Sequence, residues 1–147
     1  MWRHGTSAHL TASCIVLDAD RTHVLLTLHA KIGLWLPFGG HFEPEDISIR
    51  DAAERETREE SGLSGVQLGE LVDLDRHALP TSAYSHCTEH LDLRFVGVDP
   101  AGRTEPVVSD ESDDVRWWPL DALPTPIGAD VGRLVRAGIA GVIAPRP

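Results

Sequence analysis

Residues 39–63 read GGHFEPEDISIRDAAERETREESGL, a paired-glycine loop running into a dense acidic segment. Pro37, Gly39 and Gly40 end a stretch from Lys31 that reads as a loop with special backbone demands. From Ile47 to Ser61 the pattern predicts a helix. Ser48 is one capping candidate and Asp46, just before it, is another. Ala52, Ala53 and Thr57 give that helix a stripe of small packing residues, and Gly62 stands where a helix-ending glycine belongs. Residues 43–60 carry eight carboxylates and three arginines. Their net charge of −5 is half of the −10 of the whole 147-residue chain.

On a helix, positions i, i+3 and i+4 share a face, so Glu56, Glu59 and Glu60 converge at separations of roughly 5–6 Å. Two such charges repel by about 3 kcal/mol at an effective dielectric near 20, and by a few tenths on an open surface. One reading is a solvated acidic face laced by the pairs Asp51–Arg55 and Arg55–Glu59. The other is a seat for a hard divalent cation. Oxygen-only ligands with no neighbouring Cys or His cluster point to Mg²⁺ or Mn²⁺ rather than zinc.

The position of the segment favours the second reading. Gly40 is followed by five residues and an acid, Asp46. Arg55, Glu56, Glu59, Glu60, Gly62 and Leu63 then fall in the register of the pattern G-x5-E-x7-R-E-U-x-E-E-x-G-U, where U is a bulky apolar residue. The stretch Gly40–Leu63, 24 residues of the 147, resembles the Nudix box. It departs from the pattern at three points. Asp46 replaces a glutamate, eight residues instead of seven separate it from Arg55, and Thr57 replaces an apolar residue. The shorter Asp side chain and the extra residue are expected to compensate for one another.

The resemblance implies a Nudix-type α/β/α sandwich around a mixed β-sheet, with a metal-binding loop–helix–loop. It implies a divalent-metal-dependent hydrolase that cleaves a nucleoside diphosphate derivative or related organic pyrophosphate by attack of water on phosphorus. Carried over by position, Glu56 and Glu60 are the main metal ligands, Glu59 binds a further ion, the Gly39 carbonyl completes the shell and Arg55 orients a glutamate. Glu111, six residues before Trp117, is the candidate catalytic acid of a distant loop, with Asp110 and Asp113 as neighbouring alternatives. The physical logic is that cations bridge an anionic helix to an anionic substrate and lower the pKa of bound water. A non-catalytic, nucleotide-binding module of the same fold is the alternative, favoured by the irregular first half of the box. A third reading, a prenyl diphosphate isomerase, requires a catalytic Cys, for which Cys87 is the candidate.

Around this segment, Leu10–Leu17 and His23–Leu28 read as a β-hairpin. Val66–Asp75, His90–Val98 and Val115–Trp118 read as further strands, and Ala78–Glu89 as a polar loop. Val131, Leu134, Val135, Gly138, Ile139 and Val142 recur at the spacing of an amphipathic helix. The length suits one domain spanning residues 1–147.

Trp35 precedes the glycines as in the family's W-x-L-P-G-G run, with Phe38 inserted, and is expected to anchor the loop by packing. Of Trp117 and Trp118, one is expected to pack and the other to face outward. His90, Asp92 and Arg94 alternate on one strand and are candidates to line a substrate cleft, with Arg94 gripping phosphate. His86, Cys87, Glu89, His90 and Asp92 suggest zinc, but their spacing lacks the paired ligands of a structural zinc motif. Cys14 lies in an apolar run and reads as core.

Composition narrows the partners. With 23 acidic and 13 basic residues, phosphate tracking along a nucleic acid polymer and binding to an anionic membrane are both unexpected. Two cysteines make no disulfide framework, and neither a signal peptide nor a transmembrane run is visible, so a cytoplasmic protein is expected. The implied partner is a small-molecule diphosphate. A homodimer through the N-terminal segment or last helix is left open.

Overall fold

A computed structural model describes residues 8–79 and 87–143. The elements follow in the order β1 (Ala8–Asp18), β2 (His23–His29), β3 (Trp35–Leu36), β4 (Phe38–His41), α1 (Ile49–Ser61), β5 (Gln67–Ala78), β6 (Glu89–Asp99), β7 (Ser112–Pro119) and α2 (Val131–Ile143). β1 is central. Its first half pairs with β4, from Thr11↔His41 to Cys14↔Phe38, and its second half pairs with β2. Its other edge runs parallel to β6 along its whole length, Ala8↔Glu89 to Asp18↔Asp99. β5 flanks β6, while β3 and β7 flank β2. The sheet is therefore mixed, as expected.

The two faces sort by alternation along β1. Ala12, Cys14 and Val16 point to one side, where they meet Phe38, Ala52 and Ala53 beneath α1. Ile15 and Leu17 point to the other, where Val96, Val131, Leu134 and Val135 build the layer beneath α2. A strand buried on both faces explains the unbroken apolar run at Ile15–Leu17. Cys14 is fully buried here, which pushes its thiol pKa up to about 12.

Two sequence expectations are corrected. The stretch before and through Gly39-Gly40 is not all loop, because β3 and β4 join the sheet through backbone hydrogen bonds. Trp117 and Trp118 do not divide into one packed and one exposed. Both are half-buried, on opposite faces: Trp117 packs with the α1 layer and Trp118 with the α2 layer, edge-on to the buried Trp35. Trp35 itself packs as expected. Residues 80–86 of the expected polar loop, His86 among them, lie outside the described residues. Among the described residues, no helix is long and apolar enough to cross a membrane.

Candidate active site

α1 starts where Ser48, in extended conformation, accepts a hydrogen bond from the Asp51 N–H at 3.1 Å. It stops at Gly62, whose φ of 71° is the left-handed conformation that glycine adopts without strain. Thr57, the odd residue in the box, fits its buried position because its hydroxyl donates to the Ala53 carbonyl at 2.7 Å. The small stripe Ala52–Ala53–Thr57 thus lies against the sheet, and Glu56 and Glu60 project from the helix flank toward β4.

β4 runs beside that flank. The Gly39 N–H donates to Glu60 Oε2 at 3.0 Å. A Cβ built on Gly40 would lie 2.5 Å from Glu56 Oε1, so only glycine lets the strand pass this close to the carboxylate. Glu60 is buried, and burial, more than any neighbour, pushes its pKa up to about 8; Glu56, Glu111 and Glu59 add to the rise, and the Gly39 N–H opposes it. Glu56 is also raised, first by burial and then by Glu59 and Glu111, with Arg55 opposing. The charge of Glu111, exposed in the turn before β7, thus contributes to the rise at both the half-buried Glu56 and the buried Glu60. Its backbone carbonyl accepts the Ala30 N–H at 3.1 Å, which ties that turn to the end of β2.

Arg55 organises the rim of the cluster. Its Nε and Nη2 bind the two oxygens of Asp46 at 3.0 and 2.9 Å. Nη1 binds Glu56 at 2.9 Å and Glu59 at 3.1 Å, and Nη2 also donates to the His41 carbonyl at 2.9 Å. The bond to Asp46 is the chief reason the guanidinium is held above its ordinary pKa, and the same bond holds Asp46 below the usual carboxylate range. The Asp46 departure is thereby explained. Asp46 closes a turn with Glu43 and reaches Arg55 despite its shorter side chain and the extra residue.

Glu60 is held by the Gly39 N–H, Glu56 lies against Gly40, Glu59 shares the Arg55 Nη1 with Glu56, and the charge of Glu111 acts on Glu56 and Glu60. Two of these carboxylates are destabilised as anions by burial, and the donor set is all oxygen. A hard divalent cation fits such a set.

The opposite face of the sheet carries a different polar arrangement. Asp92 accepts from Thr11, Ser13 and the Arg94 Nε, the last at 2.7 Å. Arg94 does not stand free to grip phosphate. It is buried, and it is ion-paired with Asp92, Asp75, Asp73 and Asp130. Arg133 from α2 joins Asp73 and Asp75. His90 lies among imidazoles, edge-on to His41 at 4.9 Å and to His77 at 5.3 Å between ring centroids. Burial, and after it the charge of His77, lowers its pKa. Cys87 joins His90 as the sequence cluster suggested, whereas His9 and His41, which that spacing argument missed, complete the group; ligand atoms of all four lie within 4.8 Å of one another. The sequence signal that could have found them is alternation, since His9, Thr11 and Ser13 on β1 share a face as His90, Asp92 and Arg94 do on β6.

The chain belongs to the Nudix family: the family described as NUDIX domain matches residues 7–137. Three solved structures show how far the fold is shared. A hydrolase of the NUDIX family from Clostridium perfringens superposes with a TM-score of 0.70 at 23% identity, covering 92% of this chain and 97% of that one. A C. elegans Ap4A hydrolase, crystallised as a binary complex, gives 0.72 at 19% identity, covering 92% and 98%. The NUDIX domain of Shewanella oneidensis NrtR, complexed with ADP ribose, gives 0.72 at 18% identity, covering 94% and 90%. No curated protein matches the chain in sequence.

Proposed function

We propose that the protein is a divalent-metal-dependent hydrolase of a nucleoside diphosphate derivative or related organic pyrophosphate, with water attacking phosphorus. Membership of the Nudix family makes it a Nudix-type pyrophosphohydrolase. The observation that carries the finer reading is the placing of Glu56 and Glu60 against Gly39-Gly40, with Glu59 joined to Glu56 through Arg55 and the charge of Glu111 acting on Glu56 and Glu60. The Ap4A and ADP-ribose named for two neighbours support a nucleotide with a phosphoanhydride as substrate class.

Glu56, Glu60 and Glu59, with the Gly39 carbonyl, would hold Mg²⁺ or Mn²⁺. When bound, such ions neutralise charge on the phosphates and lower the pKa of water. Arg55 orients Glu56 and Glu59, while Asp46 fixes Arg55 in turn. Glu111 takes the proton of the attacking water as the new P–O bond forms and the bridging P–O bond breaks. Asp110 and Asp113 stand beside it in sequence. The Arg55–Asp46 pair gives the irregular half of the box a positioning role, which supports the catalytic reading over a non-catalytic module. Cys87 sits with three histidines on the far face, which gives no support to an isomerase using that thiol.

Glu60→Gln and Glu111→Gln, assayed with Mg²⁺ in ¹⁸O water on the best substrate, test the reading. General-base removal is expected to cost about 10²–10⁴-fold in kcat. The wild type is expected to place one ¹⁸O on a product phosphate. Turnover unchanged in both variants, or label on carbon, would overturn it.

A further inference from the structure

On the face of the sheet away from α1, three strands and the segment leading into β6 bring four soft or borderline donors together. His9 lies on β1, His41 on β4 and His90 on β6, and Cys87 precedes β6 by two residues. The register puts His9 directly beside His90 and Thr11 beside His41, so the alternation of three neighbouring strands aims these imidazoles into one space. The His9 and His41 rings stand edge-to-face at 5.2 Å, and His41 and His90 at 4.9 Å.

His9 is 93% buried, and among the described residues neither ring nitrogen has a hydrogen-bond partner. A neutral imidazole always carries one donor and one acceptor, and leaving either unmade in the interior costs about 1–3 kcal/mol. The Cys87 Sγ makes a weak bond to the Glu89 carbonyl at 3.4 Å, which a metal-bound thiolate would give up.

We propose that His9, His41, Cys87 and His90 bind one transition-metal ion of the zinc class, at a site separate from the acidic cluster of α1. The donor set decides the ion. Three imidazoles and a thiolate suit Zn²⁺ and its relatives and are poor ligands for Mg²⁺. Bonds of about 2.0–2.3 Å at tetrahedral angles put ligand atoms about 3.3–3.8 Å apart. The four atoms now lie within 4.8 Å, so rotations of about an ångström bring them in. Four protein ligands fill a tetrahedral shell, which makes the ion structural rather than catalytic. It would pin the 87–90 segment to β1 and to the end of β4. His41 links this site to the other face, because its backbone carbonyl is the one that Arg55 holds.

The test uses the full chain, stripped with a chelator and returned to Mg²⁺ buffer. Zn²⁺ is titrated in competition with a chromophoric chelator, and the bound metal is counted by mass spectrometry after gel filtration. One tightly held equivalent is expected, weakened by about 100-fold or more in His9→Ala and His90→Ala and kept in the Glu56→Gln/Glu60→Gln double variant. Co²⁺ provides the readout that needs no histidine variant to fold. The wild-type Co²⁺ protein is expected to show thiolate-to-cobalt charge transfer, lost in Cys87→Ser. Cys14, apolar and fully buried, cannot supply that signal. Failure to retain zinc, retention that depends on Glu56 and Glu60 instead, or a cobalt spectrum without the thiolate band would overturn the proposal.

Discussion

Asp46→Ala tests whether the irregular half of the acidic segment is truly joined to its helix. The Asp46 side chain is 4% exposed and that of Arg55 13%, so their two-point contact is largely shielded from water. Hydrogen bonds to charged groups contribute about 1.5–3 kcal/mol each, and stranding one partner of a buried pair costs about 3–5 kcal/mol. Arg55 is not stranded by the change, since Glu56, Glu59 and the His41 carbonyl remain within 2.9–3.1 Å. The expected loss is therefore about 2–3 kcal/mol, toward the lower end of those ranges. For a domain of this size that corresponds to roughly 5–10 °C in Tm. Asp46→Asn keeps acceptor geometry on one oxygen and is expected to lose about half as much. Urea denaturation in EDTA of Asp46→Ala, Arg55→Ala and the double variant gives the coupling directly, with about 2 kcal/mol expected. Glu45→Ala, at the neighbouring exposed acid, is the control and should change stability by less than about 0.5 kcal/mol. A coupling below about 0.5 kcal/mol would refute the assignment of Asp46 as the partner of Arg55.

Other substitutions separate roles that the sequence alone left together. Arg94→Met leaves the buried Asp92 without its cation, with Arg133 remaining on Asp73 and Asp75, and is expected to cost about 3–5 kcal/mol in urea; a raised KM with stability intact would instead restore Arg94 as a phosphate ligand. Gly40→Ala drives a methyl group to 2.5 Å from Glu56 Oε1 and displaces that carboxylate by about an ångström, so kcat should fall about 10²-fold while stability changes little. At Asp18, burial raises the carboxyl pKa, but the His23 and Thr22 N–H groups and the Thr22 hydroxyl outweigh it and leave the folded pKa depressed. Its contribution is therefore complete above the unfolded value of about 3.9 and is lost as pH falls through the lower folded value. The stability gap between wild type and Asp18→Asn should narrow below about pH 4, and a gap constant with pH would contradict this.

What could be read from the chain was local. The cap at Ser48, the glycine end at Gly62 and the small stripe facing the core are written within one helix, and the structure repeats them. The acidic face at Glu56, Glu59 and Glu60 follows from helical spacing for the same reason. β3 and β4 were hidden because Pro37 and the paired glycines carry loop signals, while their pairing is made by backbone alone. The fate of Arg94 was unreadable because Asp73, Asp75 and Asp130 reach it from β5 and the approach to α2. The histidine group was hidden in the same way. His9 and His90 meet only through a parallel register that no turn between them dictates.

The most direct measurement of the central claim is a mass-spectrometric hydrolysis screen of the wild-type protein. The panel comprises nucleoside triphosphates, ADP-ribose, sugar nucleotides, dinucleotides and prenyl diphosphates, each with Mg²⁺, with Mn²⁺ and with EDTA. Cleavage of a phosphoanhydride in one class, present with the divalent ions and abolished by EDTA and by Glu60→Gln, is the predicted result. Cleavage indifferent to EDTA and to Glu60→Gln, or no cleavage of any member of the panel, would contradict it.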